Sequence, residues 1–327
     1  MALNRDLIVQ PVIENIRAAS SYLAAGRLVV MPTETVYGLA ADAFNPLAVS
    51  RIFEAKQRPA FDPLICHISN EEMLERTVSS VSKPVLRLIR EFWPGPLTVV
   101  LEKSTAVPNI VSSGLPTVAV RMPSHPVALK LIETFGGPLA APSANMFGRL
   151  SPTRPEHTLR LEGDVASILD GGQCSVGVES TIVRYHAGKL YILRPGGITI
   201  EKLQRVGGIE TCLAENAAIP NAPGQLPSHY APHAPVIIIN PDDPVPTQPE
   251  RSCFLGFTSI RREVPFLRQE TLAPDGDLHC AAANLFEALH RLDDCSPEFI
   301  IVESVPETGL GHAIMNRLRK SAAPRTS

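Results

Sequence analysis

Residues 28–39 read Leu-Val-Val-Met-Pro-Thr-Glu-Thr-Val-Tyr-Gly-Leu, an apolar run that gives way to polar residues at a proline. Leu28–Met31 predicts a buried strand, because a short apolar run bounded by a turn signal is typical of strands covered on both faces. Pro32 ends the strand, and Thr33-Glu34-Thr35 follows with two hydroxyls and a carboxylate. Ligands of open α/β sheets collect at strand ends, so this turn is a candidate binding site. The competing explanation is structural: one of the threonines caps a following helix.

Helix and strand patterns extend from this stretch in both directions. The predicted helices span 13–25, 46–57, 71–77, 82–92, 125–135, 155–161 and 199–206. The predicted strands span 64–68, 97–101, 117–122, 138–142, 165–170, 180–185 and 189–193, the last two as a hairpin over Ala187-Gly188. Several strand pairs lack a helix between them, so we expect a mixed, twisted, open α/β sheet rather than a purely parallel one.

The chain changes character after this region. Residues 209–235 contain a long stretch rich in Pro, Ala and Asn without a sustained period, which predicts a linker; linkers of this length are usually functional. Beyond it, strands at 236–239, 253–257 and 299–302 and helices at 277–294 and 311–321 predict a small, three-layer, parallel α/β domain. The predicted organisation is therefore a domain over 1–208, a linker over 209–235 and a second domain over 236–327.

Composition limits the class of protein. The 327 residues carry a net charge of -3, which argues against a protein that mainly coats nucleic acid. None of the six cysteines forms a C-x-x-C pair, which favours free thiols in a reducing compartment. The N-terminus lacks the apolar core of a signal peptide, and no apolar run approaches the roughly 20 residues of a membrane span. We therefore expect a cytoplasmic protein.

Cations occur where predicted elements end. Lys56 and Arg58 close the helix over 46–57 and are candidates for binding phosphate, although cations at a helix C-terminus are stabilising without a ligand. His67 would face the same cavity; a satisfied core histidine is the alternative. Arg121 ends the apolar strand at 117–122, where it must find an anion or solvent, and it suits a carboxylate through a bidentate contact.

Two further clusters carry hydroxyls and another cation. Ser143 and Asn145 follow a run of small residues, and with Ser151 they are able to donate to phosphate oxygens; an ordinary Ser/Asn turn is the alternative. Ser180 lies fourteen residues before Arg194, which stands where a strand meets a Gly-rich turn. An exposed surface arginine is the competing explanation there. The chain lacks the P-loop, G-x-G-x-x-G, G-x-S-x-G and H-E-x-x-H motifs, so any nucleotide must be held by dispersed cations and hydroxyls.

Taken together and in this order, the motifs resemble the K-x-R…S-x-N signature of the YrdC/Sua5 family. The matching stretches are Pro32–Leu39, Lys56-Gln57-Arg58, Gly95-Pro96-Leu97-Thr98, Val118–Pro123 and Ser143-Ala144-Asn145. His229-Tyr230-Ala231-Pro232 resembles the linker motif of the two-domain Sua5 type, and Ala313–Arg317 resembles the end of its C-terminal domain. The resemblance implies a YrdC-like domain followed by a linker and a small Rossmann-like domain.

The resemblance also implies an activity. Members of this family are nucleotidyltransferases that convert L-threonine, bicarbonate and ATP, with Mg²⁺, into threonylcarbamoyl-AMP and pyrophosphate. A downstream transferase then moves the threonylcarbamoyl group to adenosine 37 of tRNA, so tRNA is an indirect partner and no membrane is involved. Two alternatives stay open: a carbamoyl-adenylating enzyme that uses carbamoyl phosphate, and a non-catalytic RNA-binding protein.

Site residues follow from the resemblance position by position. The implied threonine contacts are Thr35, His67, Arg121, the backbone of Ala141, and Ser180. The implied ATP contacts are Arg58, Asp62, Thr117, Ser143, Asn145, Ser151, Arg194 and Tyr230. Lys56, Arg58 and Arg121 are expected to act in catalysis. Family members often have Asn in place of Asp62, and an acid beside a triphosphate repels it unless a cation intervenes. Asp62 would then bind through its backbone or through Mg²⁺. Tyr230 lies in the linker, which we expect to close over the cavity as a lid.

Overall fold

The computed structural model of the chain describes residues 4–161, 165–214, 229–246 and 248–324. The strands in these ranges are β1 Ile8–Val9, β2 Leu28–Met31, β3 Gly38–Asp42, β4 Ile65–His67, β5 Leu97–Glu102, β6 Thr117–Arg121, β7 Leu139–Ala140, β8 Val165–Leu169, β9 Thr181–His186, β10 Lys189–Arg194, β11 Thr211–Leu213, β12 Val236–Ile239, β13 Ser252–Gly256, β14 Arg268–Thr271 and β15 Phe299–Glu303. The α-helices are α1 Ile13–Ala24, α2 Pro46–Lys56, α3 Glu71–Thr77, α4 Lys83–Phe92, α5 Asn109–Ser112, α6 Pro126–Phe135, α7 Ile200–Gly207, α8 Leu278–Asp293 and α9 Gly311–Ala322. Short 3₁₀ helices span Arg5–Leu7, Pro155–Arg160 and Pro249–Arg251.

The first eleven strands form one mixed sheet in the order β1-β8-β2-β3-β7-β4-β6-β5-β9-β10-β11. Parallel and antiparallel neighbours both occur: β4 runs parallel to β6, whereas β2 runs antiparallel to β3. The predicted mixed α/β sheet is thus confirmed. The predicted hairpin is formed by β9 and β10, and its turn residues Ala187 and Gly188 both have positive φ, as a two-residue hairpin turn of type I′ requires.

Residues 28–39 contain β2 and the start of β3, which are neighbours in this sheet. All four residues of β2 are buried, with β8 on one side and β3 on the other. The antiparallel register of β2 and β3, in which Val30 lies opposite Leu39, forces the chain to reverse direction over residues 32–37. The turn that carries Thr33, Glu34 and Thr35 therefore protrudes from the end of a buried strand, where the sequence predicts a binding site.

The second sheet has the order β12-β15-β13-β14 and is parallel throughout, as predicted. Helices α8 and α9 share one apolar cluster with side chains from one face of this sheet. Phe254 and Ile301 on the opposite face pack with Val245 and Phe266, which come from loops. The third helical layer that was predicted is thus not formed by the described residues, because loop side chains cover that face.

The linker predicted over 209–235 differs from the structure at its start. Thr211–Leu213 forms β11, which pairs in parallel with β10 and so belongs to the larger sheet. Residues 215–228 of this linker lie outside the described residues. The segment from His229 onward contacts both domains, since His229 N–H donates to the carbonyl of Lys320 and Ala231 N–H donates to the carbonyl of Gly148. No helix in the described ranges is both long and apolar enough to span a bilayer.

Candidate functional site

Three arginines from distant parts of the chain meet in one cavity, here called the arginine cavity. It is lined by Thr33, Thr35, Val36, Gly38, Arg58, Ile65, His67, Arg121, Ala141, Pro142, Ser143, Glu179, Ser180, Arg194, His229 and Tyr230. The structure thus brings together most of the residues that the sequence singles out. Lys56, Asp62, Thr117, Asn145 and Ser151 do not line it directly.

The turn after β2 is held by a chain of hydroxyl hydrogen bonds. Thr33 Oγ1 donates to the carbonyl of Val36 at 2.6 Å and lies 2.8 Å from Thr35 Oγ1. Because each hydroxyl has a single hydrogen, Thr35 must donate to Thr33, and Thr35 in turn accepts from Arg121 Nη1 at 2.8 Å. No helix starts at this turn; the next one, α2, is capped by Asn45. The helix-cap explanation for these threonines is therefore wrong.

Arg121 ends β6 and is held on three sides. Its Nε donates to the carbonyl of Gly95 at 3.2 Å, Nη1 donates to Thr35, and Nη2 lies 2.7 Å from Glu34 Oε1. Burial tends to raise the pKa of Glu34, but the charge and hydrogen bond of Arg121 outweigh burial and lower it, so Glu34 is a carboxylate. A guanidinium has five N–H donors, and these contacts use three. Donors thus remain for a second carboxylate.

His67 lies beside Arg121, because β4 and β6 are parallel and these two residues are opposite in register. His67 is 4% exposed. Burial, followed by the nearby charge of Arg121, lowers the pKa of His67 to about 3. The imidazole is therefore neutral at physiological pH and acts as a hydrogen-bonding group rather than as a cation. Neither charge repulsion nor protonation of His67 disturbs the adjacent arginine.

Lys56 sits at the last turn of α2, which ends where Gln57 adopts a left-handed conformation. Its Nζ donates to the carbonyl of Ser143 at 2.6 Å and also to the carbonyl of Asn145. Burial, with the neighbouring charge of Arg58, lowers the pKa of this fully buried amine well below its usual value. These contacts join the end of α2 to the Ser143–Asn145 segment, so both halves of the K-x-R…S-x-N pattern form one unit.

Arg58 and Asp62 form a buried ion pair four residues apart. Arg58 Nη2 lies 2.9 Å from Asp62 Oδ2, and the same guanidinium donates to the carbonyls of Asp62 at 3.1 Å and of Pro63 at 2.9 Å. The side chain of Asp62 is 0% exposed. The cation that an acid at this position requires is thus Arg58 itself. Asp62 fixes Arg58 in place and does not face the cavity.

Ser180 and Arg194 form the opposite wall. Arg194 donates from Nε and Nη2 to the carbonyl of Ser180 at 3.2 and 3.0 Å, and from Nη2 to its hydroxyl at 3.1 Å. The hydroxyl of Ser180 also lies 2.8 Å from Thr98 Oγ1. Arg194 is 5% exposed, so the surface-arginine explanation is wrong.

Glu179 is a site residue that the sequence reasoning missed. It accepts a 2.5 Å hydrogen bond from Ser151 and a 2.7 Å hydrogen bond from Arg317 of the second domain. Burial raises its pKa, but the charges of Arg317 and Arg194 and the bond from Ser151 prevail and bring the pKa to about 2. The sequence did single out its neighbour Ser180. The signal for Glu179 was a carboxylate within a motif expected to bind anions, because such a carboxylate needs a cation from another part of the chain as its partner.

The remaining candidates are placed less directly. The N–H of Ala141 donates to the carbonyl of Ile65 at 3.0 Å, which ties Ala141 to β4 in the wall of the cavity. Asn145 donates to the carbonyls of Met146 and Arg149 at 2.9 Å, so it shapes its own loop. Thr117 lies at the opposite end of β6 from Arg121, about 13 Å away at the rise of an extended strand. The structure therefore does not bring Thr117 to the arginine cavity.

Tyr230 fills the arginine cavity from the linker side. Tyr230 is 1% exposed. Its neighbours fix it: His229 donates through its backbone to Lys320 at 3.2 Å, and Ala231 donates to Gly148 at 2.8 Å. The free volume left is about 50 Å³, enough for a few water molecules and far below the several hundred Å³ typical of ligand sites. The described conformation is therefore closed.

A larger cavity of about 560 Å³ lies on the other side of this segment. We call it the histidine cavity; it is lined by Lys56, Gln57, Asn145, Met146, Phe147, Arg149, Leu150, His157, Arg160, Ala231, Pro232, His233, His290 and Asp293. Lys56 and Asn145 thus face this cavity, whereas Arg58 and Ser143 face the arginine cavity. The linker segment that begins at His229 lines both cavities, with His229 and Tyr230 in the arginine cavity and the next three residues, 231–233, in the histidine cavity.

The described residues contain no group of three or more His, Cys, Asp or Glu side chains suited to a metal ion. The carboxylates near the arginine cavity are engaged by arginines: Glu34 with Arg121, Asp62 with Arg58, and Glu179 with Arg317. This donor set does not fit a resident Mg²⁺, which prefers carboxylates that are free to coordinate together with substrate phosphates.

Comparison with known proteins covers nearly the whole chain. A family model described as Telomere recombination (Sua5_yciO_yrdC) matches residues 21–196, and one described as Threonylcarbamoyl-AMP synthase, C-terminal domain (Sua5_C) matches residues 198–323. The chain is 42% identical to a Pyrococcus abyssi protein named threonylcarbamoyl-AMP synthase, over 95% of this chain and 94% of that protein. It is 41% identical to a Bacillus subtilis protein of the same name, over 95% and 93%.

A solved structure gives the same result at the level of the fold. The crystal structure of P. abyssi Sua5 complexed with L-threonine superposes with a TM-score of 0.88 at 40% identity, covering 97% of both chains.

Proposed function

The chain belongs to the Sua5/YrdC family over almost its whole length, and from that premise we propose that it is a threonylcarbamoyl-AMP synthase. The observation that carries the proposal is the convergence of Arg58, Arg121 and Arg194 on one cavity that also presents hydroxyls and a neutral imidazole. An amino acid and a nucleotide triphosphate bring one carboxylate and several phosphates, which is the charge pattern that three arginines complement.

L-Threonine occupies the part of the cavity around Arg121. The two N–H groups of Arg121 that remain free bind the substrate carboxylate, and Thr35 and Glu34 keep the guanidinium oriented for it. The carbonyl of Ala141 accepts from the substrate amine. His67 and Ser180 contact the side chain and the amine as neutral groups, so that no cation competes with Arg121.

The triphosphate occupies the part between Arg58, Ser143 and Arg194. Bicarbonate gives CO₂ and hydroxide; the neutral amine of threonine attacks the CO₂, and the adduct loses one proton to the hydroxide and becomes a carbamate. A carbamate oxygen then attacks the α-phosphorus in line, and pyrophosphate leaves. Charge grows on the leaving group, where Arg58 and Arg194 stabilise it electrostatically, and Lys56 holds the carbonyls of the Ser143–Asn145 segment beside it. The enzyme forms no covalent intermediate, and positioning of the two substrates supplies much of the rate.

Mg²⁺ enters as part of the substrate, bound to the phosphates of ATP. The carboxylates around the cavity already pair with arginines, so the ion depends on phosphate oxygens and water for its ligands. When bound, it withdraws charge from the pyrophosphate. The protein contributes the arginines that hold the same phosphates.

The closed linker must move for substrates to enter. The remaining volume of about 50 Å³ does not hold ATP, so Tyr230 has to leave the arginine cavity or be displaced toward the histidine cavity. This makes the segment from His229 onward a lid, which closes on the bound substrates and excludes water. In the cell, the product passes to a downstream transferase that modifies adenosine 37 of tRNA, in the cytoplasm.

Pyrophosphate release tests the proposed function. Purified full-length protein is incubated with MgATP and bicarbonate, with and without L-threonine, and pyrophosphate is assayed. We expect pyrophosphate release to require threonine. L-Serine at the same concentration should give less release. Release that instead requires carbamoyl phosphate supports the carbamoyl-adenylating enzyme. Absence of turnover together with tight binding of RNA supports the RNA-binding protein, and either result overturns the proposal.

A further inference from the structure

The second domain inserts one arginine into the wall of the catalytic domain. Arg317 lies on α9 and is 1% exposed. Its Nε donates to Glu179 at 2.7 Å, and its Nη1 donates to the carbonyl of Pro195 at 2.6 Å. Both acceptors flank residues of the arginine cavity, since Ser180 follows Glu179 and Arg194 precedes Pro195. Arg317 therefore reaches the two adjacent segments that carry that wall.

The same guanidinium also contacts the lid. Its central carbon lies 5.3 Å from the centre of the Tyr230 ring, within the range of a cation–π contact. Tyr230 packs in one apolar cluster with residues of α8 and α9 and with Val36 and Val178 of the catalytic domain. One side chain thus touches both the wall of the cavity and the segment that closes it.

The charge of Arg317 matters because it lies next to the carboxylate of Glu179. Glu179 lines a cavity that takes anionic substrates, and an unpaired carboxylate there repels a triphosphate. Arg317 cancels that charge, and Glu179 in turn fixes the hydroxyl of Ser151 at 2.5 Å. Resting on the proposed function, we infer that Arg317 is a positioning residue of the active site, supplied by the second domain, which neutralises Glu179 and orients the cavity wall and Tyr230 for ATP. The second domain is then part of the catalytic machinery rather than an appendage.

Removing Arg317 tests this inference. Arg317→Met preserves the length of the side chain and leaves Glu179 without its ion-pair partner. We expect the KM for ATP to rise at least about tenfold at pH 8, because truncating one partner of a buried charge pair is costly. Arg317→Lys keeps the charge and should recover part of the loss. The matched control is Arg319→Met, two residues along α9, whose exposed side chain pairs with Glu307; its KM should stay within about twofold of the wild type.

The pH dependence of the ATP KM distinguishes a loss of charge at position 317 from a loss of packing there. The ionisable groups that act on Glu179 are Arg317, Arg194, Tyr230, His229 and Lys320. Without Arg317, burial raises the pKa of Glu179, so the carboxyl gains a proton as pH falls and stops repelling ATP. The penalty of Arg317→Met should therefore shrink between pH 8 and pH 6. In Glu179→Gln/Arg317→Met the penalty should be smaller and independent of pH. An equal penalty at every pH and in both variants overturns the inference.

A second measurement does not depend on the reaction. In the wild type, the pKa of Glu179 is lower in the folded chain than in the unfolded chain, where it is near 4.5. Glu179 therefore stabilises the folded chain at pH values above 4.5. In Arg317→Met the carboxyl of Glu179 loses its largest stabilising charge, so burial raises its pKa and the carboxylate costs the fold more at neutral pH. We expect the loss in Tm to shrink as pH falls toward 5. The double variant should lack this trend. If the wild type releases no pyrophosphate, the proposed function fails, whereas a Tm difference that does not change with pH refutes the role of Arg317 on its own.

Discussion

The guanidinium of Arg121 donates to the hydroxyl of Thr35 at 2.8 Å across the arginine cavity. The two residues come from different strand ends, 86 positions apart in the chain, and the hydroxyl passes its own hydrogen on to Thr33. Arg121 is thus oriented before any substrate arrives. Preorganised donors of this kind bind a carboxylate without the cost of ordering a long side chain.

Thr35→Val tests this arrangement. The substitution keeps the shape of the side chain but leaves Arg121 Nη1 without its acceptor, so the guanidinium is free to turn toward Glu34. We expect the KM for L-threonine to rise about 10- to 100-fold, the range that corresponds to an unsatisfied buried donor. The KM for ATP should change much less. Steady-state pyrophosphate release at varied threonine and at varied ATP measures both.

The control for this variant is Thr134→Val. The hydroxyl of Thr134 bonds only to its own helix, at the carbonyl of Lys130, away from the cavity. Its kinetic constants should match those of the wild type. If Thr35→Val also leaves the threonine KM unchanged, Thr35 does not orient Arg121 for substrate.

Asp62→Asn tests the ion pair with Arg58. Asparagine has the same shape, and the hydrogen bond from Arg58 Nε to the carbonyl at position 62 remains. Removing the negative charge leaves more of the charge of Arg58 to phosphate, so we expect the KM for ATP to fall about two- to fivefold. Unfolding should become easier by about 1 kcal/mol, because a buried charged hydrogen bond is weakened.

The matched control for that change is Asp294→Asn. Asp294 also pairs with an arginine, Arg160, but both side chains are at least half exposed, so neither kinetics nor stability should change measurably. A rise of tenfold or more in the ATP KM of Asp62→Asn contradicts the prediction. That result would mean that the carboxylate itself binds the substrate, through Mg²⁺.

Strands buried on both faces were the easiest part of the fold to predict. β2 is an unbroken apolar run, and its bounds match the prediction. β3, Gly38–Asp42, was missed because Gly-Leu-Ala-Ala-Asp has small residues and no period that distinguishes a strand from a turn. β14, Arg268–Thr271, was missed because it is a polar edge strand whose side chains are partly exposed.

The site was predictable where a polar residue interrupts an apolar element, as Arg121 and Arg194 do at strand ends. Pairing was not predictable, since it depends on contacts between distant segments. Glu179 and Arg317 are 138 positions apart and belong to different domains, so no local sequence pattern links them. The partner of Asp62 was also missed, although Arg58 is only four residues away. The two residues are joined by a loop, and a loop has no helical period from which to infer their contact.

Tyr230→Ala tests the lid. The ring lines the arginine cavity and lies between the guanidinium of Arg317 and the tilted Phe286 ring, whose centre is 5.6 Å away. Its loss opens the cavity to water, so we expect the KM for ATP to rise at least about tenfold and pyrophosphate release without threonine to increase. Tyr230→Phe keeps the ring and should retain most of the activity. Circular dichroism should show an unchanged fold in both variants, and unchanged ATP kinetics in Tyr230→Ala would refute the lid.

Buried neutral histidines make stability depend on pH, and two of them, His67 and His229, line the arginine cavity; the prediction concerns His67, which lies beside Arg121. Its folded pKa of about 3 lies below the ordinary value of 6.5, so the unfolded chain binds a proton that the folded chain does not as pH falls below 6.5. Stability is therefore present above pH 6.5 and lost on acidification. Between pH 7 and pH 5 this single group removes about 2 kcal/mol from the free energy of unfolding.

His67→Gln should reduce that pH dependence, because glutamine hydrogen-bonds without titrating. Urea unfolding at pH 5, 6 and 7 gives the slope for each protein, and the control is His186→Gln, whose side chain is exposed at the end of β9. We expect the free energy of unfolding to fall less steeply with acid in His67→Gln than in either the wild type or the control. Equal slopes in all three proteins would show that His67 already carries its proton in the folded chain, in which case a cation stands beside Arg121 and the neutral contact assigned to it is wrong.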